Sequence, residues 1–209
     1  MTIQFNARSS KTRARALARN EERANLILPV FTGEALAGYA AEADELSRGL
    51  VSKRIELNGY EPKANKVLVI DTDLSCEGLD RIVLIGLGER SKLTLTGLRK
   101  ALVEVFESAR DTLQSDHVVF PINDVEVRGV TVEQFAETVA ITAALMDFEV
   151  KHQKTRTDDE DERTHLETVT LLADDWAVGS VKKGMLRGKA IGEATCNARD
   201  LVNEPSETL

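Results

Sequence analysis

The sequence predicts an α/β layer fold, with a mixed, largely parallel sheet and helices on both of its faces. Three observations lead there. Short aliphatic runs of strand length alternate with amphipathic helical stretches almost throughout the chain. Leu26–Phe31 and Arg81–Ile85 are apolar along their whole length, the mark of buried strands. The 209 residues, 42% hydrophobic and 30% charged, suit one soluble globular domain with an appended helix.

Taken in order, Ile3, Phe5 and Ala7 alternate as a strand does. Leu26–Phe31 is the first buried strand, and its Pro29 suggests a sheet edge or a strand end. Thr32 is placed to cap a helix that carries Leu36, Tyr39, Ala40, Ala43 and Leu46 on one face. Val51–Leu57 and Lys66–Asp71 read as strands, with Asn58-Gly59 as a turn between them. Arg81–Ile85 ends in Gly86-Leu87-Gly88. A helix begins near Thr96 and gathers Leu98, Ala101, Leu102, Val105 and Ala109 on one face. His117–Ile122 is a strand. Thr131 and Gln134 form a capping box for a helix that buries Val132, Phe135, Val139, Ala143 and Met146.

Lys151–Arg163 follows as a solvated, charged connector with five acidic residues from Asp158 to Glu162. Thr168–Leu172 is a strand. The longest helix runs from about Val178 to Asn203, and Pro205 cannot extend it. Residues 1–175 are thus expected to form the α/β domain and residues 176–209 a linker helix.

Charge and cysteine usage narrow the function classes. A net charge of −8 disfavours a nucleic-acid surface. Cys76 and Cys196 form no disulfide framework, which places the chain in a reducing, cytoplasmic compartment. No apolar run reaches the ~18 residues of a membrane span, and no signal-peptide core follows Met1. The basic stretch Arg8–Arg23 resembles an organelle transit segment in composition, but reads better as a solvated strand-and-loop face.

No catalytic, cofactor or metal site emerges from the motifs. Gly86-Leu87-Gly88 after a strand invites a phosphate-binding reading, but the dinucleotide fingerprint needs a third glycine where Ser91 stands. The bland reading is a tight turn that uses glycine. His117, His152 and His165 share no metal-ligand spacing, although His152 and His165 bracket the acidic connector. The thiols have no histidine nearby in sequence. Ser9, Ser10, Ser75 and Ser180 lie in no nucleophile elbow.

The last helix is more informative. Gly184, Gly188 and Gly192 recur every fourth residue and line one stripe. Each interior glycine costs roughly 1 kcal/mol relative to alanine, so three on one stripe indicate close approach of another backbone. That partner is either the domain's own sheet or another domain.

Four segments together resemble the N-terminal region of the leucine aminopeptidase (cytosol aminopeptidase) family. They are Arg81–Gly88 with its terminal Gly-Leu-Gly, Leu145–Thr155, the glycine-bearing last helix, and Ala198-Arg199-Asp200-Leu201-Val202-Asn203-Glu204-Pro205. The chain departs from the family pattern at three positions. Phe148 replaces an aromatic hydroxyl, Val150 replaces a second aromatic, and Glu204 replaces a threonine.

The resemblance implies a macro-domain-like fold and a parent enzyme that removes N-terminal amino acids, often leucine, from peptides. Two divalent metals (zinc, manganese or magnesium) would sit in a C-terminal catalytic domain, so this chain supplies no catalytic, cofactor-binding or metal residues. The parent is expected to be a homo-hexamer to which this domain contributes assembly and substrate access. Two alternatives stay open at this level: a nucleotide or ADP-ribose module near Gly86–Gly88, and DNA contact through Arg8–Arg23.

Overall fold

In the computed structural model, residues 3–10, 24–72, 79–109, 116–149 and 165–203 are described. Six strands form one sheet: β1 (Gln4–Ser9), β2 (Ala24–Val30), β3 (Val67–Asp71), β4 (Leu79–Gly86), β5 (His117–Pro121) and β6 (Thr168–Ala173). Their spatial order is β1-β6-β5-β2-β4-β3. Every pairing is parallel except that of β3 with β4, which is antiparallel and closes one edge. The predicted fold class holds.

Side-chain alternation divides the core into two layers. Leu26, Leu28, Ile82 and Leu84 face α1 (Gly38–Leu46) and α2 (Leu50–Leu57). Ile27, Val83, Ile85, Val118, Phe120, Val169 and Leu171 face the opposite way, toward α3 (Leu95–Ser108), α4 (Val132–Met146) and α5 (Val178–Asn203). Because both sheet faces are covered, the strands read as continuous apolar runs.

The helix starts follow local chemistry. The Thr94 hydroxyl accepts the Gly97 N–H and starts α3. At α4 the Thr131 hydroxyl accepts the Gln134 N–H at 3.2 Å while the Gln134 side chain accepts the Thr131 N–H at 2.9 Å. The box read from the sequence is formed. Of the face predicted for α4, Phe135, Val139 and Ala143 are buried, whereas Val132 and Met146 are only half-buried.

Three expectations need correction. Residues 51–57 form helix α2, not a strand. The alternation of Val51, Lys53, Ile55 and Leu57 suggested a period of two, but Val51 and Ile55 are also one helical turn apart. Only they turn inward, and Leu57 is 69% exposed. Asn58-Gly59 accordingly ends a helix. Tyr60 N–H donates to Ile55 C=O and Gly59 N–H to Glu56 C=O, with Gly59 at φ +55°, which is a Schellman cap.

Thr32 caps nothing. Its hydroxyl donates to the Pro62 carbonyl at 2.7 Å, and α1 begins six residues later. For Pro29 the strand-end reading holds, since it is the next-to-last residue of β2, and that strand is central rather than at an edge. β5 flanks β2 only at Asn25 and Leu26, so the missing N–H of Pro29 removes no bond to β5.

The glycine stripe of α5 packs on α4. A Cβ at Gly184 would lie 2.1 Å from the Glu133 carbonyl oxygen, and one at Gly188 would lie 2.4 Å from that of Glu137. At Gly192 it would meet the Ala144 methyl at 2.6 Å. The close backbone approach is real, and the partner is a helix of this same domain rather than its sheet.

Candidate functional site

The strongest candidate site lies where the sheet topology turns. β2 and β5 are parallel neighbours, yet the chain leaves β2 toward β4 and leaves β5 toward β6, on the opposite side. Open α/β sheets bind ligands in the crevice that such a reversal leaves beyond the strand C-termini. Here the two strands part beyond Leu26. A cleft of about 810 Å³ opens between the segments that follow them, and Phe31, Leu36, Ile55, Tyr60 and Pro62 contribute apolar wall.

One guanidinium organises the mouth. Arg90, on the short 3₁₀ turn Arg90–Lys92, donates from Nη2 to Glu34 Oε2 at 2.9 Å and from Nε to both Glu34 carboxylate oxygens. It also donates to the Asp124 carbonyl at 3.2 Å and stacks 3.8 Å above the Phe31 ring. Hydrogen bonding from Arg90 holds the Glu34 carboxyl below the usual range.

Asp124 has a different role. Its Oδ2 accepts the Tyr39 N–H at 2.9 Å, so it caps α1 from another part of the chain. Gly38 makes room for it: φ is +54°, and a Cβ there would lie 2.2 Å from Asp124 Oδ1. Burial is the main cause that raises the Asp124 pKa, with Glu42 adding to it and Arg90 opposing. Tyr39 donates its hydroxyl to the Ser10 carbonyl at 2.7 Å, and burial pushes its pKa to about 12.

The cleft does not suit an anion. The N-terminus of α1, a natural phosphate seat, is filled by the Asp124 carboxylate. The Gly86-Leu87-Gly88 turn offers no cradle either. Gly86 N–H donates to Lys66 C=O, Leu87 N–H to Val30 C=O and Gly88 N–H to Pro62 C=O, at 2.8, 2.9 and 3.3 Å. A Cβ at Gly86 would lie 2.2 Å from the Lys63 carbonyl oxygen. Gly86 lets the 60–65 segment close on the sheet, and Gly88, at φ +72°, makes the tight turn of the bland reading.

The other sequence candidates scatter. His117 is buried, with Nε2 at 3.2 Å from the Thr170 hydroxyl. His165 lies beyond the opposite strand ends, 3.3 Å from Asp147 and 3.6 Å from Glu149. The half-buried Cys196 donates its thiol to the Ala144 carbonyl at 3.5 Å, and burial raises its pKa.

Ser10 donates to Asp174 at 2.9 Å, Ser9 donates to Asp175, and Ser180 sits in the first turn of α5. Cys76, Ser75, His152, the acidic connector and most of Arg8–Arg23 fall outside the described residues. Among the described residues, no group of three or more His, Cys, Asp or Glu side chains could hold a metal. None of their helices is long and apolar enough to cross a membrane.

Sequence reasoning missed Glu34, Arg90 and Asp124. The usable signal was polar residues just past apolar strands, as in Asn123-Asp124 after β5. Their convergence depends on strand order, which the sequence does not display.

Two of the four resembling segments meet in space. The Arg199 guanidinium lies 5.8 Å from the centre of the Phe148 ring. A model of the cytosol aminopeptidase family N-terminal domain matches residues 27–157, more than half of the chain. The chain belongs to this family.

Its relatives include a Bacillus subtilis protein named "Probable cytosol aminopeptidase", 25% identical over 93% of this chain and 38% of that protein. One of the same name from Chromohalobacter salexigens is 30% identical over 88% of this chain and 36% of its own length. The chain thus spans well under half the length of these family members.

Among solved structures, a mutant of tomato leucine aminopeptidase covers all of this chain and 40% of its own, with a TM-score of 0.69 at 17% identity. The bottromycin maturation enzyme BotP covers 88% of this chain and 33% of its own, with a TM-score of 0.58 at 20% identity. Both likenesses are of fold. The family match agrees with the family read from the sequence segments.

Proposed function

We propose that this chain is the non-catalytic N-terminal part of a metallo-aminopeptidase that removes amino-terminal residues, often leucine, from peptides. The observation that carries this reading is the family match over residues 27–157, joined to relatives more than twice as long. In this reading residues 1–175 form the peripheral domain and residues 176–209 lead toward the catalytic part. The domain serves assembly, as a hexamer, and substrate access in a cytoplasmic enzyme.

The parent would use two divalent ions, zinc, manganese or magnesium, to polarise the scissile carbonyl and activate a water. BotP, a fold neighbour, is known in complex with Mn. The described residues here offer no set of side chains that fits such ions, so no hydrolytic step is derived from this chain.

The test is an assay of leucine release from an aminoacyl anilide with manganese or zinc present. The 209-residue chain alone should be inactive, and joining it to the catalytic part of a relative should yield metal-dependent release. Turnover by this chain alone overturns the reading.

A further inference from the structure

One edge of the sheet leaves a row of main-chain groups unused. β3 ends the sheet and pairs on one side only, with β4. The Gly86 N–H donates to the Lys66 carbonyl at 2.8 Å, so the Lys66 carbonyl points toward β4. Main-chain direction alternates along an antiparallel ladder. Leu68 and Ile70 therefore turn their N–H and C=O inward, and Val67, Val69 and Asp71 turn theirs outward. Among the described residues no strand flanks that side, and no hydrogen bond reaches the outward main-chain groups of Val67, Val69 or Asp71.

The edge is also apolar. Val67, Leu68 and Val69 are only half-buried. Val67 and Val69 pack on the core layer under α3, α4 and α5, and Leu68 packs on the layer under α1 and α2. Neither a charge nor a proline stands between Lys66 and Asp71, although such residues are what usually keep a sheet edge from pairing. The opposite edge strand, β1, does carry a charge, Arg8.

One occupant answers these features together: β3 of a second copy. In an antiparallel pair centred on Val69, that residue faces Val69 of the second copy, and Val67 faces Asp71 of the second copy. All of these residues point their main-chain groups outward, so each facing pair can exchange two hydrogen bonds. The same pairing brings the exposed Lys66 end of each strand to the Asp71 end of the other. Asp71 remains 68% exposed beside Arg81, so its charge is accessible. Parallel pairing in register would instead set like charges side by side. A two-fold axis through Val69 closes the contact, so association stops at a dimer.

We infer that the β3 edge is a self-association surface, at which two copies of this chain join their sheets antiparallel about Val69. This surface goes beyond the aminopeptidase reading and does not rest on it, since the pairing groups all belong to β3. The contact is short, at the weak and transient end of protein interfaces.

Sedimentation of the 209-residue chain from about 5 to about 500 µM tests it, joined to amide hydrogen exchange at both ends of that range. A monomer–dimer equilibrium should appear. The Val67 and Val69 amides should exchange about tenfold more slowly at the high concentration. Val69→Pro removes an N–H that points away from β4, a position where edge strands tolerate proline. It should weaken the dimer about tenfold or more, because two symmetry-related hydrogen bonds are lost. Lys66→Glu, at an exposed position, should weaken it in the same direction.

A chain that stays monomeric at about 500 µM overturns the inference. So does a dimer in which the Val67 and Val69 amides exchange as fast as in the monomer, or one that both variants leave intact. Exchange is read on the unsubstituted chain, so that result stands even where Val69→Pro fails to fold. None of these outcomes bears on the leucine-release assay, so the two proposals fail separately.

Discussion

Asp124 is held in its ionised form against a cost, and that cost has a pH signature. Its folded pKa lies above the ordinary 3.8, chiefly because burial disfavours the charge. Folding therefore penalises the carboxylate above its folded pKa, and the penalty fades as pH falls toward the ordinary value. Glu34 behaves oppositely. Its lowered pKa gives stability that is present above the ordinary 4.5 and lost as pH falls through the folded value.

Melting curves of Asp124→Asn and of the parent chain should thus diverge at neutral pH and converge under acid. The variant should be relatively more stable at the higher pH, provided its amide oxygen keeps the Tyr39 N–H bond. A variant that loses stability equally at every pH would show that capping, not charge, dominates at this position.

At the same scale, Tyr39→Phe removes a partly buried hydroxyl and leaves the Ser10 carbonyl without that donor. It should cost about 1 kcal/mol in urea unfolding. None of this was legible in the sequence. Asp124 and Tyr39 are 85 positions apart, and nothing local in Gly38 reveals that a distant carboxylate fills its missing Cβ.

The helices divide between those whose starts were legible and those whose starts were not. Where a cap is local, as with Thr131 and Gln134, the sequence shows it because both partners lie within one turn. Thr131→Ala should cost about 1 kcal/mol, read as a shift in the urea midpoint with an unchanged slope. Where a cap comes from elsewhere, as at α1, the sequence points to the wrong residue, here Thr32.

The α5 stripe makes the sharpest prediction at this scale. Gly188→Val places a branched side chain against the Glu137 carbonyl and the Ala140 methyl, where a Cβ alone would lie 2.4 and 2.8 Å away. It should cost about 3 kcal/mol or more, at the upper end of overpacking. Gly179 has nothing within 4 Å of its Cβ position, so Gly179→Ala should raise stability by up to about 1 kcal/mol. If both changes cost the same, helix propensity rather than the α4–α5 contact governs the stripe. The sequence announced the stripe because a periodic cost demands a periodic benefit, but it did not say which surface provides that benefit.

For the molecule as a whole, the chain belongs to a family whose listed members run more than twice its length. The sheet is paired on both sides of β2 at its start and on one side beyond, so the cleft is a consequence of topology and not of any local motif. Joining this chain to a catalytic part should leave the melting of its core unchanged while adding turnover. A core that melts only together with the added part would mean that the α4–α5 layer is not an independent unit, a distinction calorimetry resolves.

By itself the sequence determined what is local or periodic. That covers the fold class, ten of the eleven strands and long helices by type, one helix cap, the glycine stripe and the family segments. These follow from side-chain spacing and from bonds closed within a turn. Only the tertiary structure decided that residues 51–57 are helical, because a period of two and a pair four apart coincide in so short a run. It also decided that α4 receives the glycine stripe, that the Gly86–Gly88 donors are all used, and that Glu34, Arg90 and Asp124 meet at one cleft. Each of those facts depends on the order of strands in the sheet, a non-local property set by how the two core layers bury their apolar area together.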